Sequence, residues 1–177
     1  MTLIVIIKIL AIIILLLLSA LSSGSETALT AVSKQRAHRQ KDKGAKNANF
    51  ILKIKEFKDE FITGILLANN LFNILATALM TELLVSEFGG LGVSVATIFM
   101  TLMIVIFSEV TPKIFAINKP MTFALKVSKF FYFYTKLIKP IVNLINKVSN
   151  KIIKLIGLNL NADQSKIIEE EFEGAVQ

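Results

Sequence analysis

Two stretches of this chain, residues 61–81 and 88–108, contain no charged side chain, and residues 3–21 contain one, Lys8. Each is about 20 residues long, and at about 1.5 Å per residue a helix of that length spans the hydrocarbon thickness of a bilayer. Inside lipid, backbone donors and acceptors must be satisfied within the segment itself, so apolar stretches of this kind form helices. The expected fold is therefore all-α and integral to the membrane. Composition agrees: hydrophobic residues make up 54% of the 177 and charged residues 19%, the latter below the roughly 25% of an average soluble domain. There is no Cys, and the one His, His38, sits in a charged stretch and reads as a solvated loop residue. Disulfides, thiolate metal sites and His-dependent triads are excluded, and no enzymatic activity is expected.

The net charge is +7, and its placement matters more than its size. Nine basic residues lie between Lys34 and Lys58 and ten more from Lys113 onward, whereas 82–91 holds two acids and no base. Basic loops stay on the cytoplasmic side. This pattern puts 33–60 and everything after about 117 in the cytoplasm, and the N-terminus and the 82–92 loop outside. It also favours a membrane over nucleic acid as the partner of the positive charge. The protein is expected to be a multi-pass cell-membrane protein with an outside N-terminus and a cytoplasmic C-terminus.

Along the chain, the expected spans are about 3–31, 61–82 and 90–117, forming a transmembrane domain over 1–120. The first resembles a signal peptide in its opening, but the basic segment after Ala31 would halt translocation, so an uncleaved helix is expected. Residues 34–58 read as a solvated connector with a short amphipathic helix at Ile51, Ile54 and Phe57. Spans two and three form a hairpin around Gly89-Gly90-Leu91-Gly92. Residues 121–158 read as a cytoplasmic juxtamembrane helix. Its seven Lys within 121–156 fall in one arc of roughly 140° at 100° per residue, with most apolar residues opposite and a kink expected at Pro140. Such a helix lies in the interface with Lys toward anionic head groups. From 159 to 177 the charge turns acidic, with Asp163, Glu169, Glu170, Glu171 and Glu173, as at the start of a further cytoplasmic region.

The residues that do not belong in lipid are the informative ones. Ser22-Ser23-Gly24-Ser25-Glu26-Thr27 lies in the first span, Asn69, Asn70 and Asn73 in the second, and Ser108-Glu109-Val110-Thr111-Pro112 at the end of the third. Ionisable groups in a span cost a few kcal/mol and generally face a cavity or a partner. Ser22 is nine residues from Ala31, Asn70 nine from Phe61 and Glu109 eight from Ile117, which puts all three roughly 12–14 Å from one membrane face. Hydroxyl, amide and carboxylate oxygens without sulfur or imidazole suit a hard cation such as Mg2+, Na+ or Ca2+. Pro112 cannot donate to the Ser108 carbonyl, and Gly24 would let the first helix distort and expose carbonyls, as in the broken helices of transporters. The alternatives are interhelical packing for the Ser and Asn clusters and a snorkelling Glu109.

These motifs resemble those of the CorC/CNNM (DUF21, hemolysin C-like) transmembrane domain. Ser23-Gly24-Ser25-Glu26-Thr27-Ala28-Leu29 is similar to its F-S-x-S-E-T-A-L motif, Asn69-Asn70-Leu71-Phe72-Asn73 to G-N-N-x-x-N, and Glu109-Val110-Thr111-Pro112-Lys113 to G-E-x-x-P-K. The chain departs from the pattern at Ala68 and Ser108, where the family often has Gly. The resemblance implies a homodimer with three spans per protomer and a cytoplasmic helix belt, acting in Na+-coupled efflux of Mg2+ or Co2+. It also implies a following pair of ATP-binding CBS domains, for which the acidic end looks like the lead-in. Ser23, Asn70 and Glu109 are the leading metal-site candidates, followed by Ser25, Asn69 and Asn73. Glu26 is a candidate for Na+ or for bracing the kink in the first helix, and Lys113 for the interface or a carboxylate partner. Competing readings are a membrane anchor that presents regulatory domains, and a membrane-perturbing protein acting through its basic helix.

Overall fold

The computed structural model describes residues 2–156, and the expected acidic lead-in at 159–177 lies outside the described residues. Seven α-helices follow one another: α1 (Thr2–Ala31), α2 (Lys34–Asp42), α3 (Ala48–Glu56), α4 (Lys58–Phe88), α5 (Leu91–Met103), α6 (Thr111–Asn118) and α7 (Pro120–Leu155). A π-helical stretch, Ile104–Val110, joins α5 to α6. There is no strand among the described residues, and three helical runs are long and apolar enough to cross a membrane: Leu3–Ala31, Lys58–Phe88 and Leu91–Asn118. The all-α membrane fold is the one expected. The second span starts three residues earlier than its charge-free stretch, because the acidic first turn, Asp59 and Glu60, suits a helix N-terminus, and it runs seven residues further.

The spans show lipid-facing apolar surfaces. Leu3, Ile7, Leu10, Ile14 and Leu17 of α1 are exposed, as are Ile98, Phe99 and Leu102 of α5. Lys8, the one charge in the first span, is not stranded: its Nζ lies 2.7 Å from Glu82 Oε1 near the far end of α4. The α4–α5 turn is tight. A Cβ on Gly92 would collide with the Leu84 carbonyl and Val85 nitrogen, so the absent side chain is what lets the two helices close on each other.

Two apolar clusters lie on either side of a polar layer. One joins Ile12, Ala76 and Met100. The other joins Ala28 and Leu29 of α1, Ile51 and Ile54 of α3, Phe61 and Ile65 of α4, Ala116 of α6, and Ala124, Val127 and Phe131 of α7. The second cluster corrects the reading of 34–58 as a solvated connector. Ala37, Ala48, Ile51 and Ile54 are buried, and Asn47 fastens the turn between α2 and α3 to α7. Its Nδ2 donates to the Leu125 carbonyl at 3.0 Å, and its own carbonyl accepts from Ser128 Oγ at 3.2 Å. A short amphipathic helix finds its apolar partner in α7, distant in sequence. His38 is exposed, as expected, but on α2 rather than in a loop.

The compact unit containing the spans extends to Lys139, and the described residues from Pro140 belong to a second unit. In the first unit Lys126, Lys129, Lys136 and Lys139 of α7 are exposed while Ala124, Val127 and Phe131 are buried. Helical structure continues through Pro140 to Leu155.

Candidate functional site

The polar layer is built from three helices. On α1, Ser19 and Ser23 are four residues apart, hence on one face, and both are fully buried. On α4, Asn69 and Asn73 repeat the same spacing. On the third span, the π-helical stretch carries Ser108 and Glu109. A π turn inserts one residue into the helix and is a recurrent device at functional sites. Here the Thr111 N–H bonds the Ile106 carbonyl, five residues back. In that register the next acceptor, the Phe107 carbonyl, would face Pro112, which has no N–H to give.

Glu109 is the hub. Its Oε2 accepts from Ser23 Oγ at 3.1 Å and lies 3.0 Å from Lys113 Nζ, while its Oε1 accepts from Asn69 Nδ2 at 2.6 Å. Ser19 Oγ lies 2.6 Å from both Asn69 Oδ1 and Asn73 Oδ1. One hydroxyl proton serves only one of them, and the other amide can satisfy Ser19 by turning its NH2 edge over. Ser108 Oγ donates to the Leu16 carbonyl at 3.1 Å, tying the π stretch to α1. Lys113 also lines a groove with Glu26, Thr27, Thr30 and Ala31, so the same lysine borders the carboxylate and an open surface.

Of the six candidates, Ser23, Asn69, Asn73 and Glu109 share this network and two do not. Ser25 is buried but donates to the Leu21 carbonyl of its own helix at 2.5 Å. Asn70 is exposed and has no hydrogen-bond partner among the described residues. The cause is helical geometry: one residue is about 100° of rotation, and α4 buries Ile65, Ala68 and Asn69, which turns Asn70 outward. Ser19, which sequence reasoning passed over, is central; its signal was the four-residue spacing to Ser23.

The expected break of α1 at Gly24 does not occur, and α1 is helical throughout. Gly24 serves packing: a Cβ there would stand 2.8 Å from Phe123 Cζ of α7. The neighbouring hydroxyls bond back to their own helix, Ser22 donating to the Leu18 carbonyl and Thr27 to the Ser23 carbonyl. Lys113 takes the second of its two expected roles, pairing with a carboxylate.

No group of three or more His, Cys, Asp or Glu is gathered among the described residues. The network offers one carboxylate and a set of neutral oxygens. Such a set suits a hard cation that keeps part of its water shell, and it lacks the soft ligands that zinc or copper prefer.

The chain is similar to known proteins over most of its length. The chain is 33% identical over 152 residues to a UPF0053 protein of Haemophilus influenzae, which covers 86% of this chain and 36% of the relative. It is 31% identical over 147 residues to the UPF0053 inner membrane protein YfjD of Escherichia coli, covering 83% and 34%. A putative chloroplastic DUF21 domain-containing protein of Arabidopsis thaliana is 30% identical over 149 residues, covering 84% and 22%. The chain thus spans between about a fifth and just over a third of the length of these relatives. The family model described as the cyclin M transmembrane N-terminal domain matches residues 10–177, and with three spans and the polar layer between them, the chain belongs to that family.

Proposed function

We propose that this domain is the ion-translocating part of a Mg2+ exporter, with Co2+ as a second cargo, driven by Na+ and working by alternating access. The observation that carries the reading is the Glu109 carboxylate held between three helices by Ser23, Asn69 and Lys113. In this state the carboxylate is satisfied by donors. Loading a cation requires the Lys113 ammonium to leave, Asn69 to turn its Oδ1 inward and Ser23 to offer its oxygen lone pairs. Lys113 thereby acts as a tethered cation that holds the site's charge when the ion is absent. Mg2+ demands octahedral oxygen geometry and gives up water reluctantly, so one carboxylate with neutral oxygens from Ser19, Ser23, Asn69 and Asn73 fits an ion in transit.

The groove of Glu26 and Thr30 beside Lys113 is the proposed route between this site and the cytoplasm. Na+ takes the same oxygens in the return step. The protein is placed in the cell membrane with its N-terminus outside, and the Lys face of α7 meets anionic head groups at the cytoplasmic surface. Two copies form the working unit, and the exposed Asn70 marks a face of α4 for the second copy, since an unpaired amide is costly in lipid.

The test is Mg2+-dependent thermal stabilisation of the detergent-solubilised chain. A ligand present at about a hundred times its Kd adds about 2.7 kcal/mol to the folded state. Glu109→Gln keeps the shape and removes the charge. It should lose the Mg2+-dependent shift without lowering the melting temperature of the ion-free protein. A destabilised variant with an intact Mg2+ response would assign Glu109 to structure and overturn the reading.

A further inference from the structure

A second concave site lies away from the ion network, where the end of α3, the start of α4 and α7 meet. It is a cavity of about 290 Å3 lined by Ile54, Phe57, Glu60, Phe61, Tyr132, Thr135, Lys136 and Lys139. Its most telling atom is Thr135 Oγ1. Thr135 is 8% exposed, and its hydroxyl has no hydrogen-bond partner among the described residues. Elsewhere in these helices Thr27, Thr77, Thr81, Thr97 and Thr101 satisfy their hydroxyls by donating to the carbonyl four residues earlier. Thr135 does not take that option. A buried hydroxyl left unpaired costs about 1–3 kcal/mol, so a donor held free inside a cavity points to an acceptor from outside the chain.

The charges say what kind. Lys136 and Lys139 stand on one wall and Glu60 on the other, with Lys139 Nζ 4.0 Å from Glu60 Oε1 and 4.8 Å from the Phe57 ring centroid. Two ammonium groups against one carboxylate leave one positive charge, which equals the charge of one phosphodiester. Glu60 can accept from a hydroxyl or ammonium on the same ligand. The remaining walls, Ile54, Phe57, Phe61 and Tyr132, are apolar or aromatic and suit the first carbons of an acyl chain. Lys58 and Phe61 mark the end of a span, which is the depth at which headgroups lie.

We infer that this cavity binds the phosphate group of a phospholipid, with Thr135 Oγ1 and the Lys136 and Lys139 ammonium groups as donors and the aromatic wall holding the glycerol end of the acyl chains. This cavity shares no residue with the ion network, and the inference rests only on the head-group placement of α7 proposed above.

The experiment measures melting temperature of the full chain in a neutral detergent against three additives at matched concentration: dioctanoyl phosphatidylglycerol, dioctanoylglycerol and inorganic phosphate. The phospholipid should stabilise the wild type, and the other two should do so much less. Thr135→Val is nearly isosteric and removes only the hydroxyl. It should melt at the same or a higher temperature without lipid, yet bind the phospholipid about tenfold more weakly, and Thr135→Ser should restore binding. Lys136→Gln with Lys139→Gln should lose the response as well. An undiminished lipid response in Thr135→Val would overturn the proposal, as would equal stabilisation by dioctanoylglycerol. Equal stabilisation by inorganic phosphate would overturn the lipid as the source of the phosphate.

Discussion

Replacing Lys113 by Gln removes the cation that occupies Glu109 in the ion-free state, and it should tighten Mg2+ binding. The ammonium lies 3.0 Å from Glu109 Oε2. Two unit charges at that distance attract by about 5 kcal/mol at an effective dielectric constant of 20. Most of that is returned when the pair separates, because the Lys113 side chain is 42% exposed and its ammonium rehydrates. Pairs this accessible have a net worth of at most about 1 kcal/mol. Since 1.4 kcal/mol is a factor of ten, Lys113→Gln should lower the Kd for Mg2+ by up to about fivefold, and Lys113→Arg should leave it near wild type. Isothermal titration calorimetry on the solubilised protein reads this directly. An unchanged or weaker affinity in Lys113→Gln would refute the competition and make Lys113 a supporting member of the site.

Three further outcomes follow from the same structure. Asn69→Leu should abolish the Mg2+-dependent thermal shift, whereas Asn70→Leu should keep it and instead weaken self-association by about 1 kcal/mol, read by analytical ultracentrifugation in detergent. A Cys placed at Gly90 should react with an impermeant reagent from outside, and one placed at Lys43 only from the cytoplasm; the reverse pattern would invert the proposed topology. Lys55, on α3 outside the spans, has its pKa lowered from 10.5, chiefly by burial and then by Lys58 and Lys34. Just below pH 10.5 the folded chain therefore binds fewer protons than the unfolded one, and stability should rise with pH there. Lys55→Met should flatten that rise in denaturation measured across alkaline pH.

What the sequence disclosed followed from local physics. Runs as long as a bilayer is thick with at most one charge located three helices, and the common depth of Ser22, Asn70 and Glu109 pointed to one layer where Ser23, Asn69 and Glu109 are in contact. Depth along a helix survives an error of one residue, but its rotation does not, so Asn70 stood in for Asn69. Ser19 was lost among leucines because a lone serine in an apolar run also serves packing. Pro112 flagged a disturbed helix end, but not its form, a π turn, nor the bond from Ser108 in that turn to the Leu16 carbonyl 92 residues away in sequence. Gly24 and the connector failed for the same reason. Their partners, Phe123 for Gly24 and Leu125 and Ser128 for the connector, all belong to α7, and no local pattern announces a contact 78 to 99 residues distant.

We propose that Glu109 and its oxygen neighbours carry Mg2+ across the membrane in exchange for Na+. The most direct test loads proteoliposomes containing the chain with a Mg2+-sensitive dye and imposes a Na+ gradient of either direction. Mg2+ should move opposite to Na+, reversing with the gradient, and should not move in Glu109→Gln vesicles of equal protein content. Flux no greater than in protein-free vesicles, or equal flux in wild type and Glu109→Gln, would contradict it.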